Sequence, residues 1–369
     1  MENILEMDLN HVLHNTGDLW EELRGKRIFI TGGTGFFGCW LLESFAWANA
    51  KYALDASALV LTRNPEAFRR KAPHLYSNPS LDFHIGDVCN FEFPRGVFSH
   101  IIHAASGPDT TSVVNEALSL FEGIVKGTRT VLEFAARCNA EKVLFTSSGA
   151  VYGEQPPDLL RIPEDYQGAP GTTALSSAYG EGKRVSEFLS AVYAERYGFE
   201  TKIARCFAFV GPYLPLRSHF AIGNFIENVL NNEPVLVRGD GTPRRSYLYA
   251  GDLAVWLWTI LVRGKSGRPY NVGSAHEFTI AEVARTVACF LNDKQEVQIL
   301  EKPASTRPTR HYVPSVLRAE SELDLKQNID LREAIGRTLA WFRKKGGMTK
   351  IATSDNKSQL KEEEEKWQQ

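Results

Sequence analysis

Short apolar runs alternate with longer amphipathic stretches along most of the chain. Ile28, Phe29 and Ile30 form a continuous apolar run, as suits a strand buried on both faces of a parallel sheet. Similar runs predict strands over 58–61, 81–85, 100–102, 142–146 and 201–204. Helical spacing covers 40–50, 114–136 and 178–197. This β-α-β alternation predicts an α/β fold with a right-handed, doubly wound parallel sheet. Over 8–22, Leu9, Val12, Leu13, Leu19 and Trp20 form the apolar set of an amphipathic helix. That helix is expected to cap the outside of the sheet or to meet a partner subunit.

Past residue 211 the pattern loosens. It predicts a helix over 220–231, a short strand over 235–237 and an apolar helix over 252–262. A strand over 270–273 is expected to return to the main sheet, and helices over 280–292 and 331–343 follow. The resulting organisation is a helical extension (1–24), a dinucleotide-binding unit (25–210, plus the strand near 268–273) and a mostly substrate-binding unit (211–345). A polar tail (349–369) is expected to be flexible.

Composition narrows the class. The chain has 369 residues, 43% hydrophobic and 23% charged, with net charge −2. That balance gives no reason to expect nucleic acid or an anionic membrane as partner. No apolar run approaches the roughly 18 residues of a membrane span. Acidic residues precede any apolar run at the N-terminus, so no signal peptide is expected and the cytoplasm is the expected location. The five cysteines are scattered, which fits a reducing compartment. His100 and His103 alternate across one strand and cannot share an ion, so no metal is expected.

The first strand runs into Gly32, Gly33, Gly35 and Gly38, and a helix follows. Strand, Gly-rich turn and helix together form a dinucleotide site. Glycines permit the tight turn and close approach of a phosphate, and the helix N-terminus offers free N–H groups to a pyrophosphate. At the end of the second strand an acid would bind a ribose 2′-hydroxyl and an arginine a 2′-phosphate. This chain has Arg63 and no acid there, which favours NADP, with NAD as the alternative. Asp87 is a candidate acceptor for the adenine amino group. Ala104, Ala105 and Ser106 are small enough to let the cofactor lie against the fourth strand.

Tyr179 and Lys183, four residues apart, share a helix face. An ammonium beside a phenol favours the phenolate and should lower the phenol pKa, which would make a proton carrier for a hydroxyl or ketone. The Ser-rich end of the fifth strand, at Ser147 and Ser148, could bind the same substrate oxygen from across the cleft.

These residues carry a resemblance to the extended short-chain dehydrogenase/reductase family of nucleotide-sugar epimerases, dehydratases and ketoreductases. The motifs are TGGTGFFG at 31–38, GDV at 86–88, HAAS at 103–106, SSGAVYG at 147–153, YGEGK at 179–183 and GDGTPRRSYLYAGDLA at 239–254. The resemblance implies a Rossmann-type fold. It implies cofactor contacts from Gly32, Thr34, Gly35, Phe36, Phe37, Gly38, Arg63, Asp87, Val88, Ala104, Ala105 and Ser106. Tyr179 becomes the acid/base, Lys183 its pKa partner and ribose ligand, and Ser148 the hydrogen-bonding partner at the reacting carbon. Arg245 and one of Arg307 or Arg310 would grip the diphosphate of a nucleotide sugar. A homodimer built on the helices at 114–136 and 178–197 is also implied.

Departures from the family pattern narrow the chemistry. Dehydratases in this family follow the strand-end hydroxyl with Asp-Glu, and the sugar-acid decarboxylases place Glu at the second position. Here these are Gly149 and Ala150, which transfer no protons. Ile124 stands where an Asn is common, and Ala208 replaces the Asn of an Arg-x-Phe-Asn motif, removing an expected substrate-phosphate contact. The expected activity is NADP(H)-dependent reduction of a 4-keto nucleotide sugar. The alternatives are an NAD-dependent 4-epimerase and a non-catalytic nucleotide-binding scaffold or sensor.

Overall fold

The computed structural model describes residues 4–105, 113–217, 220–290, 297–302 and 310–347. Its first half contains α1 (Glu6–Thr16), β1 (Arg27–Thr31), α2 (Phe36–Tyr52), β2 (Ser57–Thr62), α3 (Pro65–Lys71), α4 (Pro73–Tyr76), β3 (Leu81–Ile85), β4 (His100–His103), α5 (Val113–Arg137), β5 (Lys142–Ser148), α6 (Ala178–Tyr197) and β6 (Glu200–Cys206). The second half contains β7 (Phe209–Val210), α7 (Ala221–Leu230), β8 (Leu236–Val237), β9 (Arg244–Ser246), β10 (Leu248–Tyr249), α8 (Ala250–Arg263), β11 (Pro269–Val272), β12 (Glu277–Thr279), α9 (Ile280–Ala288), β13 (Gln298–Ile299), β14 (His311–Tyr312), α10 (Leu317–Leu323) and α11 (Leu331–Gly347).

Seven strands form one parallel sheet in the order β11-β6-β5-β4-β1-β2-β3. This is a Rossmann-type doubly wound arrangement, with the strand order reversing between β1 and β4. Ile28, Phe29, Ile30, Ile101 and Ile102 are buried, as expected for strands covered on both faces. Ligands bind such sheets at the carboxyl ends of the strands beside the reversal, so β1, β4 and β5 aim their ends at the candidate site.

The N-terminal helix ends sooner than its apolar spacing suggests. α1 stops at Thr16, and a 3-10 turn runs over Gly17–Leu23, with Gly17 at φ +50°. The α1 helix packs on α8 and α2. Asp8 and His11 tie it down. The Asp8 carboxylate accepts from the Tyr249 hydroxyl at 2.9 Å and pairs with Arg337, and His11 bonds to Asp252 at 2.8 Å.

Two short helices, α3 and α4, were not expected. Each begins at a proline, and the Asn64 side chain caps the first by accepting from the Ala67 N–H at 2.9 Å. In the second half, β9 pairs antiparallel with β12 and parallel with β14, setting Tyr312 opposite Arg245. Among the described residues no helix is long and apolar enough to cross a membrane.

Candidate active site

The Gly-rich turn is pressed against the end of β4. Gly32 has φ +71°, and a Cβ there would stand 2.4 Å from the carbonyl carbon of Ala104 and 2.5 Å from the nitrogen of Ala105. A Cβ on Gly38 would meet the Gly32 oxygen and the Gly33 backbone at 2.3 Å. These close approaches bring the first turn of α2 against the strand end. Gly35, the N-cap of α2, supplies no side-chain cap, and the first turn holds no acid. The helix therefore presents unsatisfied N–H groups and an uncompensated positive end, a cradle that fits a pyrophosphate. Thr34 is held from behind, its carbonyl accepting from the Lys71 ammonium at 2.8 Å. Phe36 and Phe37 are half-buried at the start of the helix.

Along the cofactor's expected path, Arg63 is exposed directly after β2 and forms no ion pair among the described residues. Asp87, at the end of β3, accepts the Cys89 N–H at 2.9 Å. Val88 packs on α5, where a Cβ at Gly127 would come within 2.9 Å of it. Ala104 and Ala105 are half-buried and bonded to Thr31, while Ser106 lies outside the described residues.

Ser148 ends β5 and is buried. Its Oγ accepts the Ala150 N–H at 3.1 Å, capping a single 3-10 turn over Gly149–Tyr152 and fixing the hydroxyl. Tyr179 sits in the first turn of α6, half-buried, with Ser148 beside its hydroxyl. Lys183, one turn further on, is buried, and its Nζ lies 5.8 Å from the centroid of the Tyr179 ring. The structure therefore brings the three candidates together at the end of β5.

One expectation fails. Burial raises the Tyr179 pKa above the ordinary phenol value, and the Ser148 hydrogen bond opposes this only in part. Lys183 does not offset that burial: its ammonium lies 5.8 Å from the ring centroid and donates to the Thr146 carbonyl at 2.8 Å. Burial also pulls Lys183 itself down to about 8. Desolvation outweighs attraction at both groups. Nearby His103 is no acid/base candidate. Burial holds its pKa at about 3, and its ring nitrogens bond to Thr31 at 2.7 Å and Thr128 at 3.1 Å.

Arg245 is half-buried, with its guanidinium 5.6 Å from the centroid of the Tyr312 ring and no carboxylate partner among the described residues. Burial lowers its pKa, and the neighbouring Arg310 adds to that effect. A desolvated cation without an acid is suited to an anionic ligand. Arg310 is exposed and Arg307 lies outside the described residues. Arg205, of the RCFA segment, instead braces the interior. It forms a two-pronged bond to Glu187, at 3.0 and 2.7 Å, and donates to the Tyr152 hydroxyl at 2.9 Å.

Sequence reasoning missed Tyr312 and Phe207. Their rings pack with centroids 4.7 Å apart, and Ser148 lies beside the Tyr312 hydroxyl. No local spacing signals this, because Tyr312 reaches the site only through the pairing of β14 with β9.

Comparison with known proteins places this geometry among relatives. The model of the NAD dependent epimerase/dehydratase family matches residues 28–273. UDP-glucuronic acid decarboxylase 3 of Arabidopsis thaliana is 30% identical over 312 residues, covering 84% of this chain and 86% of the relative. Among solved structures, the UDP-N-acetylglucosamine 4-epimerase of Methanobrevibacter ruminantium superposes with a TM-score of 0.74 at 21% identity, covering 87% of this chain and 99% of its own. The UDP-glucose 4-epimerase of Thermotoga maritima superposes with a TM-score of 0.71 at 20% identity, covering 86% and 99%. At these identities the two structures bear on fold alone.

Proposed function

The chain belongs to the NAD-dependent epimerase/dehydratase family, and on that premise we propose that it is an NADP(H)-dependent reductase of a 4-keto nucleotide sugar. The observation that carries the chemistry is the Ser148 hydroxyl set beside the Tyr179 phenol, with Lys183 one turn away, at the carboxyl end of the sheet that also holds the Gly32–Gly38 turn. When bound, the nicotinamide cofactor supplies the hydride.

Ser148 donates to the C4 carbonyl oxygen and orients it. Tyr179 gives its phenolic proton to that oxygen as C4 becomes tetrahedral, so the carbonyl π bond is replaced by one C–H and one O–H bond. The phenolate left behind is stabilised by the Ser148 hydroxyl and the Lys183 ammonium and recovers a proton from solvent. Burial raises the Tyr179 pKa, so the phenol is available as a proton donor. Lys183 also holds the ribose hydroxyls, and Arg245 the substrate diphosphate, with Arg310 or Arg307 as its second cation.

Arg63 favours NADPH, because an exposed, unpaired guanidinium at the end of β2 suits a 2′-phosphate and no acid stands there for a 2′-hydroxyl. Likeness to the curated decarboxylases supports a nucleotide-linked sugar as substrate. It does not carry their reaction, since Gly149 and Ala150 offer no proton-transfer group. The second reading is an NAD-dependent 4-epimerase, favoured by the match to the NAD dependent epimerase/dehydratase family model. Leu118, Phe188 and Val192 are exposed apolar residues on α5 and α6, which pack on one another, and they support a homodimer through this helix pair. Five free cysteines support a cytoplasmic location.

Incubation with UDP-, dTDP-, GDP- and CDP-linked 4-keto sugars, followed by NADPH absorbance, tests the proposal. Stoichiometric NADPH consumption is expected. Interconversion of a non-keto nucleotide sugar without net cofactor change would establish the epimerase, and inertness of folded, cofactor-bound protein would leave a sensor.

A further inference from the structure

The peptide between Thr34 and Gly35, at the entry to α2, is held at both of its polar atoms. The Gly35 N–H donates to the Gly32 carbonyl at 3.0 Å, and the Thr34 carbonyl accepts from the Lys71 ammonium at 2.8 Å. The Cys39 thiol also approaches that carbonyl, at 3.8 Å, but a thiol is a weak donor. The plane of this peptide sets where the helix begins, and so where the N–H groups of Phe36, Phe37 and Gly38 point. Those are the groups a helix leaves unmatched at its start. Lys71 is the last residue of α3, and its own carbonyl accepts from the Lys345 ammonium, on α11, at 2.8 Å. Lys345 is braced in turn by two rings. Its Nζ stands 4.6 Å from the Trp341 centroid and 5.3 Å from that of Tyr213, and the two rings are 4.7 Å apart. The Tyr213 hydroxyl donates to the buried Glu43 at 2.5 Å, which anchors the group to α2. A line of contacts therefore runs from α11 through α3 and ends on the backbone of the Gly-rich turn.

We propose that Lys71 and Lys345 are positioning residues for the dinucleotide: Lys345 fixes the end of α3, Lys71 fixes the Thr34–Gly35 peptide, and together they hold the Gly-rich turn in its phosphate-binding shape. This rests on the dinucleotide site described above and on neither the sugar nor the reaction it serves. Each lysine acts through a main-chain carbonyl. The pyrophosphate is common to NADP(H) and NAD(H), so the effect is the same for both cofactors, unlike that of Arg63. The α11 helix follows the whole sheet in sequence, so nothing in the Gly-rich motif itself signals this contact.

The test uses the full chain and titrates NADPH and NADH by fluorescence into wild type, Lys71→Met, Lys345→Met and the double variant. Methionine keeps the apolar stem and removes the donor. Lys71→Met is expected to weaken both cofactors by one common factor, roughly tenfold, and Lys345→Met by roughly threefold, as for one charge-assisted hydrogen bond and part of one. The double variant is expected to lose no more than Lys71→Met, because Lys345 acts through Lys71. Lys71→Arg keeps a donor and is expected to return to within about threefold of wild type. In cofactor-free protein, hydrogen exchange over 31–38 is expected to quicken in Lys71→Met. Unchanged affinity for both cofactors would overturn the proposal and leave the dinucleotide reading standing. A loss confined to NADPH would also overturn it, because Lys71 would then act on the 2′-phosphate. Additive losses in the double variant, or no recovery in Lys71→Arg, would overturn it as well. A wild type that binds neither cofactor would overturn both the proposal and the reading it rests on. Should Lys71→Met fail to fold, Lys345→Met decides alone, and unchanged affinity there overturns the proposal.

Discussion

The Lys183 ammonium donates to the main-chain carbonyl of Thr146 at 2.8 Å, tying α6 to β5 two residues before Ser148. This bond fixes the spacing between the strand that carries the serine and the helix that carries the tyrosine.

The buried ammonium makes a pH prediction with a definite sign. Folding lowers Lys183 from the ordinary 10.5 to about 8. Between those values the unfolded chain holds a proton that the folded chain has released, so this group's contribution to stability grows as pH rises through the window. Lys183→Met removes that increment. Urea denaturation of both proteins from pH 7 to 10.5 is expected to show wild type gaining stability relative to the variant.

Tyr179→Phe removes the proton donor and keeps the ring. Turnover is expected to fall by about 10²- to 10⁴-fold, the range for a general acid, with cofactor affinity within a factor of about two. Single-turnover kinetics and NADPH titration check both halves. Retained turnover would exclude Tyr179 from the chemistry.

Gly32→Ala drives a methyl group into the Ala104–Ala105 peptide and imposes φ +71° on a residue with a side chain. A loss of roughly 1–3 kcal/mol from backbone strain is expected, with more from the clash. Cofactor affinity should fall at least about tenfold, since the turn can no longer close on β4. Thermal melts and NADPH fluorescence titration measure the two effects separately.

Arg63→Ser is expected to lower kcat/KM for NADPH by about 10- to 100-fold, as for one lost charge-assisted contact, and to leave NADH nearly unaffected. Because Arg63 is exposed and forms no ion pair among the described residues, stability should not change. Equal losses with both cofactors would remove Arg63 from 2′-phosphate recognition.

Asp8→Ala takes away one of the two carboxylates on Arg337, leaving Glu333, and strips the Tyr249 hydroxyl of its acceptor. A destabilisation of about 1–3 kcal/mol is expected in chemical denaturation, the cost of a buried polar group left unmatched. Activity per folded molecule should be unchanged, since α1 lies on α8 and α2, away from Ser148.

Much of the framework was legible in the sequence because its signals are local. TGGTGFFG lies within one strand-turn-helix unit, and Tyr179 and Lys183 are one helical turn apart. What escaped is of two kinds. The α3 helix depends on an Asn64 cap and a proline start, too short for hydrophobic periodicity to register. Tyr312 depends on strand pairing across distant sequence, which no spacing rule reports. The pKa of Tyr179 escaped for a third reason. Helical spacing brings Lys183 near, but only the fold shows how deeply the phenol is buried.

The strand order has a consequence for how the protein is made. The chain leaves the sheet at Cys206 and re-enters at Pro269 to lie against β6. Until residues 269–272 have emerged from the ribosome, β6 is an open edge of unpaired N–H and C=O groups, a template for pairing with another nascent chain. Any stop or cleavage within 207–268 would leave that edge permanently bare. Such fragments should therefore aggregate instead of surviving as a smaller nucleotide binder.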